Sequence, residues 1–211
     1  MELVDFSRTS LWVSLASITF NPLFWNIAAR REYHTHWITA LFNGDRRKGC
    51  YAIAATIFSL GIVRDLLFNH ALSEQPVHPL LLSPPVQLLA MALFAAGMVF
   101  VLSSTYMLGI TGTFLGDYFG ILMDARVTGF PFNVLENPMY VGSTMSFIGT
   151  SLYHAKPAGL VVSAYVWLVY TIALRFEGPF TTMIYSKRAQ TPTPTPTPSK
   201  KSSAANSKKK L

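Results

Sequence analysis

The chain has 211 residues, of which 51% are apolar and only 13% charged, with a formal net charge of +7. The charged share is about half that of a typical soluble domain, which excludes both a disordered chain and an ordinary soluble globule. Seven of the 17 basic residues (Lys187, Arg188, Lys200, Lys201, Lys208, Lys209 and Lys210) follow residue 186, where there is no acid, whereas residues 1–186 balance ten basic against ten acidic groups; the body is neutral, which argues against a nucleic-acid binder with a basic face.

In chain order, uncharged runs dominate: 9–29, 49–63, 79–116, 137–155 and 157–174. A helix needs about 20 apolar residues to cross a hydrocarbon core, so the pattern predicts an all-α, polytopic membrane protein with four to five membrane helices. The amino terminus MELVDFS is acidic, and its apolar run lacks a small-residue cleavage site, so no signal peptide is expected. In the first run, Asn21–Pro22 pairs a good N-cap with a residue favoured at the first helical position. This predicts two short helices, 10–20 and 22–30, with Trp12 and Trp25 as interfacial anchors, in a re-entrant or interfacial arrangement. A single kinked spanning helix is the alternative.

The second run, 49–63, ends at Arg64–Asp65. The third holds a span near 87–108, led in by Pro84–Pro85. Residues 108–133 then carry five glycines with Asp117, Asp124 and Arg126, too polar for a lipid-facing helix. Asn137–Pro138 repeats the cap-plus-proline signature and opens a helix to about 153; Lys156–Pro157 opens another to about 175. The two form an apolar hairpin. From Thr191 to Pro198 four Thr-Pro repeats predict an extended spacer, and 199–211 are expected to be disordered. The body is thus 1–188 and the tail 189–211. The terminal Lys208-Lys209-Lys210-Leu211 fits a dilysine retrieval signal of endoplasmic reticulum membrane proteins, or a basic contact with anionic lipid. Arg30, Arg31, Arg46, Arg47 and Lys48 favour a five-segment topology that places 30–48, 109–136 and the tail on the cytosolic side.

Cys50 is the single cysteine, so no intramolecular disulfide forms, and the scattered histidines, with only His34 and His36 close together, give no metal-binding pattern. Ionisable groups near membrane segments are functional candidates because their burial is costly. They are Arg64, Asp65, Asp117, Asp124, Arg126, Glu136, Arg175 and Glu177. Asp117 and Asp124, seven apart, would share a face if helical, and Glu177 would lie just beyond the last span.

Four stretches, FNPLFWNIAAR (20–30), VLSSTYMLGITGTFLGDYFGILMDARVTGFPFNV (101–134), ENPMYVGST (136–144) and RFEGPFTTMIY (175–185), resemble the phosphatidylethanolamine N-methyltransferase family, in particular its fungal members that act on already monomethylated lipid. The resemblance covers nearly all of residues 10–188. It implies an isoprenylcysteine-methyltransferase-like helical core and S-adenosylmethionine as methyl donor without a metal. It further implies methylation of mono- and dimethyl phosphatidylethanolamine to phosphatidylcholine, in the endoplasmic reticulum membrane or a mitochondria-associated one. It places donor contacts at Ala95-Ala96-Gly97, where the family's leading glycine is alanine, and at Glu177-Gly178, where its second acid is glycine. The start Asn137-Pro138-Met139-Tyr140 offers Asn137 and Tyr140 as pocket wall, with packing as the alternative. Asp117, Asp124 and Glu136 are candidates to take the amine proton or to stabilise the cationic product, and Arg126 to hold the lipid phosphate. The rival readings are an isoprenylcysteine carboxyl methyltransferase and a non-catalytic membrane scaffold.

Overall fold

The computed structural model describes residues 3–190, with side chains through Lys187. The order is α1 (Thr9–Thr35), α2 (Trp37–Leu41), α3 (Arg46–Ser73), α4 (Pro84–Thr113), α5 (Pro138–Tyr153) and α6 (Pro157–Gln190), with 3₁₀ turns at Pro79–Leu82 and Gly116–Phe119. No strand occurs among the described residues. The chain is an all-α, polytopic membrane protein. Three helices are long and apolar enough to cross a membrane, spanning Arg46–Ser73, Pro84–Phe119 and Pro157–Lys187. The expected four to five are reached only by adding α1 and α5. With 16 residues α5 is about 24 Å long, short of a hydrocarbon core of about 30 Å. The Thr-Pro spacer and the lysine-rich end with its dilysine signal lie outside the described residues.

The five long helices alternate in direction. At one end the N-terminal segment, the α3–α4 connection and the α5–α6 turn meet on Gln75. Its amide donates to the Asp5 carbonyl (3.0 Å) and accepts from the Asp5 N–H (2.9 Å), and its own carbonyl accepts from Lys156 Nζ. The His78 N–H donates to the Ala155 carbonyl at 2.9 Å. At the other end Ala28, Ala29, Ile38, Cys50, Leu115, Phe119 and Ile184 share one apolar cluster. Residues 30–48, the turn after α4 and the end of α6 therefore lie together, as the five-segment topology requires.

Two prolines do not end their helices. Instead of two short helices, α1 runs unbroken through a buried Pro22. Interior proline costs about 3 kcal/mol; here α1 buries Leu11, Ile18, Ala28 and Ala29 against its neighbours, and Asn21 Nδ2, rather than capping, donates to the Leu60 carbonyl of α3 at 3.1 Å. Trp25, partly buried, packs against both apolar clusters, whereas Trp12 is exposed. Likewise α6 passes 175 and runs through Pro179 to Gln190. By contrast α4 breaks where expected. Gly109 adopts φ +64°, a conformation that L side chains rarely take, so the regular helix ends at Leu108.

Glycines on α4 and α5 bring these two helices into backbone contact. A Cβ on Gly97 would lie 2.4 Å from the Gly142 carbonyl oxygen, and one on Gly149 would lie 2.7 Å from the Phe94 nitrogen and 2.8 Å from the Ala90 oxygen. Small residues let the two backbones touch. By contrast, a Cβ on Gly61 of α3 would meet nothing within 4 Å. Gly149→Ala is expected to lower stability by about 1–3 kcal/mol, while Gly61→Ala is neutral or stabilising; thermal unfolding of the two variants in detergent checks the contrast.

Candidate functional site

Tyr140 stands in the first turn of α5, which Pro138 opens. Its hydroxyl donates to Glu177 Oε2 on α6 at 2.5 Å. Its ring meets the Tyr170 ring edge-on, with centroids 5.0 Å apart. The Tyr170 hydroxyl accepts from Arg64 Nη1 at 2.5 Å and lies 3.3 Å from Ser143 Oγ. Arg64 reaches this point from α3 with its guanidinium 5.0 Å over the Phe147 ring and two bonds to Asp65 Oδ1, at 2.9 and 2.8 Å. Its side chain is only 13% exposed. Arg64 is therefore inside the bundle, not a solvated helix end, and it ties α3 to α5 and α6 through Tyr170.

A second carboxylate adjoins the first. Asp117 Oδ2 accepts from Thr181 Oγ1 at 3.1 Å, and Oδ1 accepts from the Tyr118 N–H at 3.1 Å. Thr181 is four residues after Glu177, on the same face of α6. The two carboxylates lie within electrostatic reach of each other, and neither forms an ion pair with a described basic group. The expected pairing of Asp117 with Asp124 on one helical face does not occur. Leu115 (φ +62°) and Gly120 (φ +73°) turn the chain left-handed on either side of the Gly116–Phe119 turn, so no helix runs from 117 to 124.

Asp124 and Arg126 are exposed on the irregular segment that follows. Glu136 and Asn137 are exposed too, but with Tyr140, Trp167, Tyr170 and Thr171 they line a cleft of about 170 Å³ between α5 and α6. Asn137 makes no capping hydrogen bond with its side chain, contrary to the cap expected there; it is one of the residues that line this cleft. Of the donor motif on α4, Gly97 is the buried contact with α5, two residues from Tyr140 along that helix, whereas Ala95 is exposed and Ala96 half-buried. The methyl that Ala95 adds therefore crowds nothing in the core. Gly178 is exposed, with open space where a Cβ would stand; the second carboxylate beside Glu177 comes from Asp117.

Several residues of this end were not singled out from sequence. Glu32, fully buried, accepts from the Ile38 N–H (2.6 Å) and from the Thr39 N–H and hydroxyl, and so holds the start of α2. Arg30 donates to the Phe176 carbonyl at 2.6 Å with its guanidinium 4.8 Å over the Phe180 ring. Tyr118, 1% exposed, stacks on Phe180 at 5.0 Å with 5° between the planes. Arg30 and Tyr118 lie within the resembling stretches, but nothing in their spacing links α1 to the turn after α4.

A sequence model of the phospholipid methyltransferase family matches residues 86–188. The chain is 60% identical over 185 residues to the phosphatidyl-N-methylethanolamine N-methyltransferase of Neurospora crassa, covering 88% of this chain and 86% of that one. It is also 60% identical over 185 residues to the enzyme of that name from Saccharomyces cerevisiae, covering 88% and 89%. To the phosphatidylethanolamine N-methyltransferase of Homo sapiens it is 46% identical over 186 residues, covering 88% and 93%. No solved structure matches. On these grounds, and with a helical membrane body, the chain belongs to the phospholipid methyltransferase family and is a methyltransferase.

Proposed function

We propose that the protein transfers methyl groups from S-adenosylmethionine to the amine of mono- and dimethyl phosphatidylethanolamine, giving phosphatidylcholine. The observation that carries this is the pair Asp117 and Glu177, unmatched by any described cation, with Glu177 bonded to Tyr140, which lines a cleft between two apolar helices. Such a pair suits a cationic donor and a cationic product. The names of the relatives favour a phospholipid over a prenylated cysteine as acceptor, and an enzyme over a scaffold.

When bound, S-adenosylmethionine supplies a methyl group already activated on a sulfonium, so the protein has mainly to position and desolvate the reactants. Glu177, held by Tyr140, and Asp117, held by Thr181 and its own turn, would be the acidic groups that hold the cationic donor. Asn137 and Tyr140 would form the adjoining wall, with Gly178 next to Glu177 in the chain, while Gly97, with Ala95 and Ala96 preceding it on α4, would act by fixing α5 and so Tyr140. Glu136 stands at the cleft between α5 and α6, where a carboxylate oxygen takes the proton of the lipid ammonium before attack. Arg126 meets the lipid phosphate from the exposed segment, and Asp124 is the alternative proton acceptor there. Tyr170, fixed by Arg64, keeps the inner end of the cleft in register with Tyr140.

The sided distribution of charge supports a cytosolic site in the endoplasmic reticulum membrane. Arg30, Arg31, Arg46, Arg47, Lys48, Arg126 and Lys187 lie towards the end that carries the site, whereas Arg8 and Lys156 lie at the opposite end, which follows the positive-inside rule. A glycosylation acceptor inserted at 75–78 is expected to be modified and one inserted at 43–45 to remain bare; the reverse would invert the orientation.

Expression in cells that lack phosphatidylethanolamine methylation, followed by lipid analysis, is expected to yield phosphatidylcholine from supplied monomethyl lipid. Glu177→Ala and Asp117→Ala are each expected to cut the microsomal methylation rate at least about tenfold, on the scale of a lost hydrogen bond to a charged group. Full activity in both variants would sink the assignment. Tyr140→Phe leaves Glu177 without its donor and is expected to destabilise the protein by about 1–3 kcal/mol, with a coupling above about 0.5 kcal/mol in a double-mutant cycle with Glu177→Gln.

A further inference from the structure

Five buried side-chain polar atoms lack a hydrogen-bond partner among the described residues, and three of them are Asn26 Oδ1, Arg30 Nε and Tyr118 Oη. Asn26 and Arg30 are four apart on α1 and share a face. Arg30 and Tyr118 both rest on the Phe180 ring, at 4.8 and 5.0 Å. Tyr118 is within electrostatic reach of Arg30, Glu177 and Asp117. Arg30 forms no ion pair with a described carboxylate. Its Nη2 is spent on the Phe176 carbonyl, while Nε is buried and unused.

Orphaned polar atoms are costly, and these three have complementary chemistry on two shared supports, one face of α1 for Asn26 and Arg30 and the Phe180 ring for Arg30 and Tyr118. Asn26 Oδ1 can only accept, Arg30 Nε can only donate and carries positive charge, and the Tyr118 hydroxyl can do both. A ligand that satisfies all three has an oxyanion for Arg30 and a cationic N–H group for Asn26. We propose that Asn26, Arg30 and Tyr118 form a subsite for a zwitterion, an oxyanion joined to an ammonium, next to the two carboxylates. Two reactants carry such a group: the α-amino-acid end of the methyl donor and the phosphate-amine headgroup of the lipid. The assignment rests on the function proposed above for its choice of ligands.

Tyr118→Phe isolates the idea, because the ring keeps its stacking on Phe180 and loses only a hydroxyl whose polar neighbour, Thr181 Oγ1, already donates to Asp117. A structural role predicts that the free protein melts at the same or a higher temperature and that binding is untouched. A zwitterion subsite predicts the same melting behaviour with weaker binding. Full-length protein in detergent would be titrated with S-adenosylhomocysteine and with 5′-methylthioadenosine, which lacks the amino-acid end. Capture of radiolabelled monomethyl lipid from mixed micelles by immobilised protein provides the other arm. Arg30→Gln and Asn26→Leu would be measured alongside.

If the donor occupies the subsite, S-adenosylhomocysteine binds about tenfold or more weakly to Arg30→Gln and several-fold more weakly to Tyr118→Phe and Asn26→Leu, with 5′-methylthioadenosine unchanged. If the headgroup occupies it, both nucleosides bind as before and lipid capture falls by those factors. Unchanged affinity in every arm, or equal losses for both nucleosides, overturns the proposal. Failure of the unmutated protein to bind either nucleoside would instead refute the donor reading of the previous section, and lipid capture alone would then decide the subsite.

Discussion

The contact between α4 and α5 is the constraint on which the rest of the structure depends. Gly97 and Gly142 bring the two backbones to a separation at which no side chain fits between them. In a membrane, where lipid tails compete equally with side chains for apolar surface, such close packing is a main source of helix association. Because α5 is short, fixing it against α4 fixes its first turn, and with it Tyr140. The Tyr140 hydroxyl then reaches Glu177 only because α6 continues past the expected end of the span. A glycine contact on one side of α5 thus sets the position of a carboxylate on the other.

The site is held from several directions. Arg64 approaches from α3 and fixes Tyr170; Arg30 approaches from α1 and holds the Phe176 carbonyl one residue before Glu177. Thr181 joins α6 to the turn after α4. No single element contains the constellation, so the fold is required to assemble it. Residue 178 is a glycine, and the carboxylate within electrostatic reach of Glu177 is Asp117, from a different part of the chain.

Much of the scaffold was legible from the uncharged runs. The spans α3, α4 and α6, the short α5 and its proline start, and the break at the glycines after Leu108 follow from local composition. What escaped local reading was decided by tertiary contacts. Asn21 and Pro22 look like a helix start, yet Asn21 bonds across to α3 and α1 continues. Pro179 looks like an end, yet α6 proceeds through it with Arg30 attached to the preceding turn. Asp117 and Asp124 have helical spacing, but two left-handed residues, Leu115 and Gly120, remove the helix that would align them. The resemblance pointed to Glu177 and Tyr140; that they bond to each other, and that Asp117 joins them, depends on the packing of three helices and is invisible to spacing.

The cleft beside Tyr140 lies between two apolar helices, with Trp167, Leu168 and Ile172 turned outward along α6. On the function proposed above, a lipid would meet it sideways, without leaving the plane of its leaflet. Encounter would be a search in two dimensions, with supply governed by the area density of the acceptor lipid rather than by its aqueous concentration. A partly methylated product that slipped out would stay in the same sheet of molecules as the enzyme and return by lateral diffusion, so that successive methylations would need no tethering of intermediates.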